Sequence, residues 1–154
     1  MSKEEIKQIL MGFGLPEDAA EHYAKLEVND KKFAWLSAFR FVRPLNNSLE
    51  FYKNEYGDIL RSRVEKGLSI SDSETELLNA GATPEMLGKF ASEIALSAFC
   101  NVLYRLSDAA GADYDLEGEG AYLPSWTLME RDSNYVVTER YVTETHSLIP
   151  FSNL

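Results

Sequence analysis

The sequence is poor in the residues that build disulfides, metal centres and nucleophilic active sites. Its 154 residues include one cysteine, Cys100, and two histidines, His22 and His146. One cysteine cannot form an internal disulfide or a cysteine-rich zinc site, and it is typical of a buried thiol in a reducing compartment. Two histidines offer little to a histidine metal site or a Ser-His-Asp triad. We therefore expect a cytoplasmic binding protein that is not an enzyme and uses no metal or cofactor.

The sequence also lacks long apolar runs and glycine-rich phosphate loops. No run reaches the ~20 apolar residues that cross a bilayer, and the first residues, Met1 to Glu5, enter a charged amphipathic pattern that is unlike a signal peptide. Gly12-Phe-Gly14 is too short to be a phosphate loop, and Gly118-Glu-Gly120 is acidic. These features disfavour a membrane protein and a nucleotide-dependent enzyme.

Negative charge is abundant, but it is unevenly distributed. The net charge is -10; residues 1–66 hold eleven Lys and Arg against eleven Asp and Glu, whereas residues 67–154 hold four against fourteen. Direct nucleic-acid binding needs clustered basic residues, so it is disfavoured. An acidic half can steer a basic partner into contact, although the same charge also serves solubility alone.

The densest acidic stretch follows Gly111. Its Asp and Glu residues alternate up to a glycine, as in an EF-hand calcium loop, but Pro124 stands where the twelfth position needs a bidentate Glu. We interpret the stretch as a surface loop that displays carboxylates beside tyrosines to a cationic partner. The predicted partner-binding residues are Asp113, Tyr114, Asp115, Glu117, Glu119 and Tyr122.

Helix signals dominate the first two thirds of the chain. Capping boxes at Ser2-x-x-Glu5 and Ser71-x-x-Glu74 begin two helices, and Pro16 begins another. Asp30 is expected to cap a third helix that ends at Pro44, and a fourth is expected from about Ser48 to Lys66.

The rest of the pattern predicts one long helix followed by a hairpin. The helix should run from about Pro84 to Asp108, and its nearly continuous apolar surface predicts the central, most buried helix. Residues 126–131 and 135–143 read as two strands joined by Asp132-Ser133-Asn134. We therefore expect a single α+β domain over residues 1–154, mainly helical, with about six helices, a long buried central helix and a C-terminal β-hairpin.

The hairpin sequence resembles a known class of proteins. Trp126-x-Leu128-x-Glu130-x-Asp132, followed by Thr138-x-Arg140 and His146, is similar to the closing hairpin of small bacterial immunity proteins encoded beside toxins. The resemblance covers about the last fifth of the chain. It implies stoichiometric inhibition of a cognate toxin, but no individual residue role.

The expected function is therefore that of a binding protein that inhibits a cognate protein partner, an immunity-type antitoxin acting on a basic toxin or effector domain. One alternative is a phage-encoded inhibitor of a host nucleic-acid-binding complex that mimics phosphates with carboxylates. A second is a small metal-dependent enzyme that uses the loop carboxylates, and a third is an adaptor that self-associates through the Trp126 hairpin.

Overall fold

The computed structural model describes residues 1–107 and 127–154. This part of the chain contains six α-helices, one antiparallel two-stranded hairpin and two short 3₁₀ helices. The elements are α1 (Lys3–Phe13), α2 (Glu17–Asn29), α3 (Trp35–Asn54), α4 (Tyr56–Glu65), α5 (Asp72–Asn79), α6 (Pro84–Ser107), β1 (Met129–Arg131), β2 (Val137–Tyr141) and the 3₁₀ helices Thr145–Leu148 and Phe151–Asn153. The mainly helical α+β class with a C-terminal hairpin is confirmed.

Both predicted capping boxes are present. The Ser2 hydroxyl accepts the Glu5 backbone N–H, and the Glu5 carboxylate accepts the Ser2 backbone N–H at 2.7 Å. Ser71 and Glu74 form the same reciprocal pair at the start of α5. Each pair satisfies two backbone donors that a helix N-terminus leaves open, so the sequence determines these two starting points locally.

The predicted helix end at Pro44 is wrong. α3 continues through Pro44 to Asn54, and the predicted fourth helix is divided, because α4 begins only at Tyr56. A proline inside a helix removes one backbone hydrogen bond. The buried positions nevertheless continue across it, from Val42 through Asn46 to Leu49. Burial on both sides of Pro44 offsets the lost bond and keeps α3 continuous.

The described residues form two compact units, and the chain passes from one to the other within α3 and within α6. Unit 1 contains Met1–Pro44 and Phe99–Leu154, and unit 2 contains Leu45–Ala98. The expectation of a single domain stays a prediction.

Unit 1 has an apolar core built from all of its helices and from the chain end. Phe39 is fully buried, and its ring lies 5.7 Å from that of Phe151 and 4.7 Å from that of Tyr23, centroid to centroid. Leu10 of α1 and Leu103 of α6 are each 1% exposed. The last residues of the chain therefore belong to the core of this unit.

Unit 2 brings helices together through small residues. A Cβ atom on Gly88 would lie 2.7 Å from the Tyr52 carbonyl oxygen, and one on Gly57 would lie 3.0 Å from that of Pro84. Ser92 donates from its hydroxyl to the Leu49 carbonyl at 3.1 Å. α6 therefore lies almost directly on the backbone of α3 and α4 along its Gly88 and Ser92 side.

The long sixth helix is confirmed, but its expected burial is not observed. Along α6, whose residues are all described, only Gly88 and Leu103 are buried. Met86, Phe90 and Ile94 are each more than half exposed. The apolar composition suggested burial on every side, whereas a close approach through glycine and serine covers one side of α6 in unit 2.

α6 is also the one helix among residues 1–107 and 127–154 that is long and apolar enough to cross a membrane, and 17% of its most apolar stretch is buried. One such helix is weak evidence for a membrane span, because core helices of soluble proteins pass the same criterion.

The close approach of α6 yields a prediction. Gly88→Ala should lower the free energy of unfolding by about 1–3 kcal/mol, because its Cβ would meet the Tyr52 carbonyl. The matched control is Gly12→Ala in α1, where no atom lies within 4 Å of the added Cβ and where alanine should gain about 0.5–1 kcal/mol. Urea unfolding measures both. Equal stabilities of the two variants would contradict the packing described for Gly88.

Candidate partner-binding site

The acidic residues predicted to bind a partner lie outside the described residues. This holds for the whole set, which is Asp113, Tyr114, Asp115, Glu117, Glu119 and Tyr122, and for Trp126 at the start of the predicted hairpin. Their role, including that of a cation-binding loop, stays a prediction. The hairpin that follows them is described from Thr127 onward and offers a second candidate surface.

The turn of the hairpin is held by Asp132. Its carboxylate accepts the backbone N–H groups of Asn134 at 2.8 Å and Val136 at 3.0 Å. Its backbone N–H donates to the Val136 carbonyl at 2.9 Å, and its carbonyl accepts the Tyr135 N–H at 3.1 Å. A short acidic side chain that binds nearby backbone N–H groups is a common way to fix a turn. A turn is present at the predicted Asp132-Ser133-Asn134, but it extends through Tyr135 to Val136, because β2 begins at Val137 and not at Tyr135.

Tyr135 occupies an unusual position at the tip. Its φ angle is 64°, in the left-handed region, and 81% of the residue is exposed. A side chain with a Cβ atom is disfavoured there by about 1–2 kcal/mol, which is why turns usually place glycine or asparagine at such positions. The turn thus presents a large aromatic side chain at the cost of backbone strain.

The side chains of strand β2 alternate between an inner face and an outer face of the hairpin. Thr138 and Arg140 point toward the protein, whereas Val137, Glu139 and Tyr141 are exposed. This alternation follows from the two-residue period of a strand. We use the name hairpin face for the exposed set at the tip and on the outer side, which consists of Tyr135, Val136, Val137, Glu139 and Tyr141.

Arg140 anchors the inner side of the hairpin. One guanidinium nitrogen donates to Glu27 of α2 at 2.8 Å and to Glu130 of β1 at 3.5 Å, and another donates to the Phe33 carbonyl at 2.6 Å. The hydrogen bond that Arg140 donates to Glu27 is the main cause that raises the pKa of Arg140. Glu130 also accepts the Ser37 hydroxyl at 2.7 Å. A single side chain thereby joins the hairpin to α2 and to the segment that leads into α3.

A second anchor extends the sheet by one backbone bridge. The Tyr141 N–H donates to the Lys32 carbonyl, and the Ala34 N–H donates to the Tyr141 carbonyl, both at 2.8 Å. Asp30 shapes this segment because its carboxylate accepts the N–H groups of Lys32 at 2.8 Å and Phe33 at 3.1 Å. These backbone hydrogen bonds are the largest causes that lower the pKa of Asp30.

Asp30 was expected to cap α3, but the first turn of α3 is served by another acid. The Leu36 backbone N–H donates to the Glu27 carboxylate at 2.9 Å. Asp30 accepts backbone N–H groups from residues that precede the helix, together with the side-chain N–H of Trp35 at 3.3 Å. Glu27 therefore has two functions, since its other oxygen accepts from Arg140.

The remaining chemical candidates, Cys100, Glu144 and His146, belong to unit 1 and are half-buried or exposed. The Cys100 thiol faces the His146 carbonyl at 4.0 Å, and burial raises the pKa of this thiol. Glu144 and His146 do not share a strand, because β2 ends at Tyr141 and His146 lies in a 3₁₀ helix against the Tyr104 ring. Among residues 1–107 and 127–154, no group of three or more His, Cys, Asp or Glu side chains is arranged to hold a metal ion.

The Arg140 anchor yields a prediction. Arg140→Met should lower the free energy of unfolding by about 2–4 kcal/mol, because it would leave the Glu27 carboxylate, whose side chain is 8% exposed, without its cationic partner. The matched control is Lys3→Met, which removes the exposed ion pair with Glu21 and should change the stability little, because solvent screens an exposed pair. Chemical denaturation measures both, and a loss at Arg140 no larger than that at Lys3 would contradict an anchoring role.

Asp30 yields a prediction for the dependence of stability on pH. The pKa of Asp30 is lower in the folded protein than in the unfolded chain. Its contribution to the free energy of unfolding is therefore complete above about pH 4 and is lost as the pH falls through the lower, folded pKa. Asp30→Asn should therefore destabilise the protein at pH 7 and flatten the acid side of the stability curve. Thermal unfolding from pH 7 to pH 2 tests this, and parallel curves for variant and wild type would contradict it.

Comparisons with known proteins supply no identity for this arrangement. No protein-family model matches the chain, and neither the curated proteins nor the solved structures gave a match.

Proposed function

We propose that this protein binds a cognate protein partner through the hairpin face and thereby inhibits it, in the manner of an immunity protein that blocks a toxin or effector. The observation that carries the proposal is Tyr135, an 81% exposed aromatic residue in left-handed backbone at the tip of an anchored hairpin. A position that gains stability from glycine but holds tyrosine points to a use for the exposed ring.

The hairpin face has the composition of a binding surface. It combines two tyrosines with two exposed valines, and Tyr135 and Tyr141 can each bury a large ring while losing little conformational freedom. Aromatic anchors of this kind contribute much of the binding energy in protein interfaces. Because Asp132 and Arg140 hold the turn and the strands in place, less ordering is needed when a partner binds.

The charge around the hairpin face favours a basic partner. Asp132, Glu139 and Glu144 are exposed and outnumber the one exposed base of the hairpin, Arg131, whereas Arg140 is turned inward onto Glu27 and Glu130. The acidic stretch from Asp113 to Glu119 precedes the hairpin in sequence. In this proposal it adds long-range attraction to the short-range contacts of the tyrosines, which would raise the association rate with a basic toxin domain.

A substitution at the tip can separate binding from stability. Tyr135→Gly should stabilise the protein by about 1 kcal/mol, because glycine accepts this φ angle without strain. The same change should weaken partner binding by at least about 30-fold, because an anchoring ring is lost. The probe is a purified toxin-type protein encoded beside this chain, with its activity and its Kd both measured. Phe41→Ala removes another exposed ring, from α3, and serves as the control with unchanged affinity.

The wild-type protein should abolish the activity of the partner at a molar ratio near one to one. Raised salt should slow association, and the combined change of Asp113 and Asp115 to Asn with Glu117 and Glu119 to Gln should reduce that salt dependence. Full affinity of Tyr135→Gly would overturn the role of the hairpin face. Association that is independent of salt would overturn the electrostatic part.

A further inference from the structure

Unit 2 buries little apolar surface for its size. In this unit, which is described throughout from Leu45 to Ala98, the buried apolar side chains are Leu49 and Leu60. Eight large apolar residues of the same unit are exposed, namely Phe51, Ile59, Val64, Leu68, Leu77, Met86, Phe90 and Ile94. Where such residues are contiguous, an exposed apolar patch is typical of a surface that another molecule covers.

Three of these residues form a continuous row on α6. Met86, Phe90 and Ile94 follow one another at intervals of four residues and therefore lie on one side of the helix. That side is opposite to Gly88 and Ser92, which approach α3. We call Met86, Phe90 and Ile94 the α6 stripe. It is symmetric about Phe90, since one apolar residue stands four positions away in each direction.

Two opposite charges border the α6 stripe on the same flank. Lys89 and Glu93 are both exposed, and in the part of the chain that the structure describes neither has an ion-pair partner. Helical geometry places both on one side of Phe90, about one turn apart. The flank is therefore self-complementary: it carries one positive and one negative group at a spacing that an inverted copy of itself can match.

We propose that a second copy of this chain covers the α6 stripe, with the two α6 helices antiparallel about a two-fold axis at Phe90. In this arrangement Phe90 meets its own copy, and Met86 meets Ile94 of the second copy. In an antiparallel pair related by a two-fold axis, the same flank of each helix faces the other copy. Lys89 of one copy and Glu93 of the second copy then differ in height along the helix axis by about 3 Å. Two symmetric ion pairs then border the apolar contact. This association goes beyond the proposed inhibition, which uses the hairpin face of unit 1.

The charge of the surrounding sequence argues against a lipid surface as the occupant. Residues 67–98 hold five acids and one base, Lys89. Helices that lie on membranes carry Lys and Arg on their polar side, because biological membranes have anionic headgroups. The arrangement of Lys89 and Glu93 instead fits a copy of the same helix. Three apolar side chains form a small interface, so the dimer should be weak, with a Kd of about 10–100 µM.

Sedimentation equilibrium of the full chain up to about 300 µM tests for this dimer, since such a concentration exceeds the expected Kd. The wild type should show a monomer–dimer equilibrium. Phe90→Glu should be monomeric with an unchanged circular dichroism spectrum, because Phe90 already faces solvent in the monomer. Val28→Glu, an exposed aliphatic position on α2 of unit 1, and Tyr135→Gly should both dimerise like the wild type.

Charge reversal tests the antiparallel register in particular. Lys89→Glu and Glu93→Lys should each weaken self-association by about tenfold, because each places like charges opposite one another. The double variant should recover wild-type affinity. An equimolar mixture of the two single variants should also associate, because each contact then joins opposite charges.

The proposed dimer would be contradicted if the wild type stays monomeric or if Phe90→Glu still dimerises. It would also be contradicted if the double variant self-associates no more tightly than the two single variants. Binding of the monomer to phosphatidylcholine vesicles, lost in Phe90→Glu, would replace the second copy with a lipid surface. None of these outcomes bears on the hairpin face, whose test is the affinity of Tyr135→Gly for the toxin-type partner.

Discussion

The contacts of one guanidinium determine how the C-terminal hairpin is held in unit 1. A hairpin with strands of three and five residues is at best marginally stable by itself. Arg140 connects it to Glu27 of α2 and to the Phe33 carbonyl before α3, and within the hairpin it contacts Glu130 of β1. The bridge between Tyr141 and the segment from Lys32 to Ala34 continues the same connection through backbone atoms. Without this anchor the tip would have no fixed position from which to present Tyr135.

The two units differ in how they use apolar residues. Unit 1 packs aromatic rings and aliphatic side chains around Phe39, with Phe151 closing the core from the chain end. In unit 2 the helices approach one another at Gly88 and Gly57. This contact brings their backbones close together but buries few large side chains. Close backbone contact leaves the larger apolar residues of α6 on the other side of the helix. The exposed α6 stripe is therefore a direct consequence of the small residues that form the helix contact.

Features that depend on neighbouring residues were predictable from the sequence, and features that depend on tertiary partners were not. The capping boxes at Ser2 and Ser71 and the turn at Asp132 involve groups only a few positions apart, and all three are confirmed. Continuation of α3 through Pro44 depends on burial beyond it, and the exposure of α6 depends on a contact with α3. The partners of Arg140 lie up to 113 positions away along the chain. Opposite charges at Glu130 and Arg140 on paired strands were the one sequence signal for this anchor.

In the part of the chain that the structure describes, Tyr135 and Glu144 are the two residues other than glycine with a positive φ angle, and Tyr135 is the one that exposes an aromatic ring. Gly67 has a φ angle of 62° and Tyr135 one of 64°, so the two positions make nearly the same demand on the backbone. At Gly67, after α4, the chain uses the residue that meets this demand without strain. At the hairpin tip it uses a tyrosine that is almost fully exposed and adds nothing to the core. Local rules are most often broken at functional sites, because there the side chain is needed for something other than folding. The folding of unit 1 already compensates for the backbone strain at Tyr135, so a partner that buries the ring gains a preformed anchor. The tip of the hairpin is therefore where a contact with a partner is expected first.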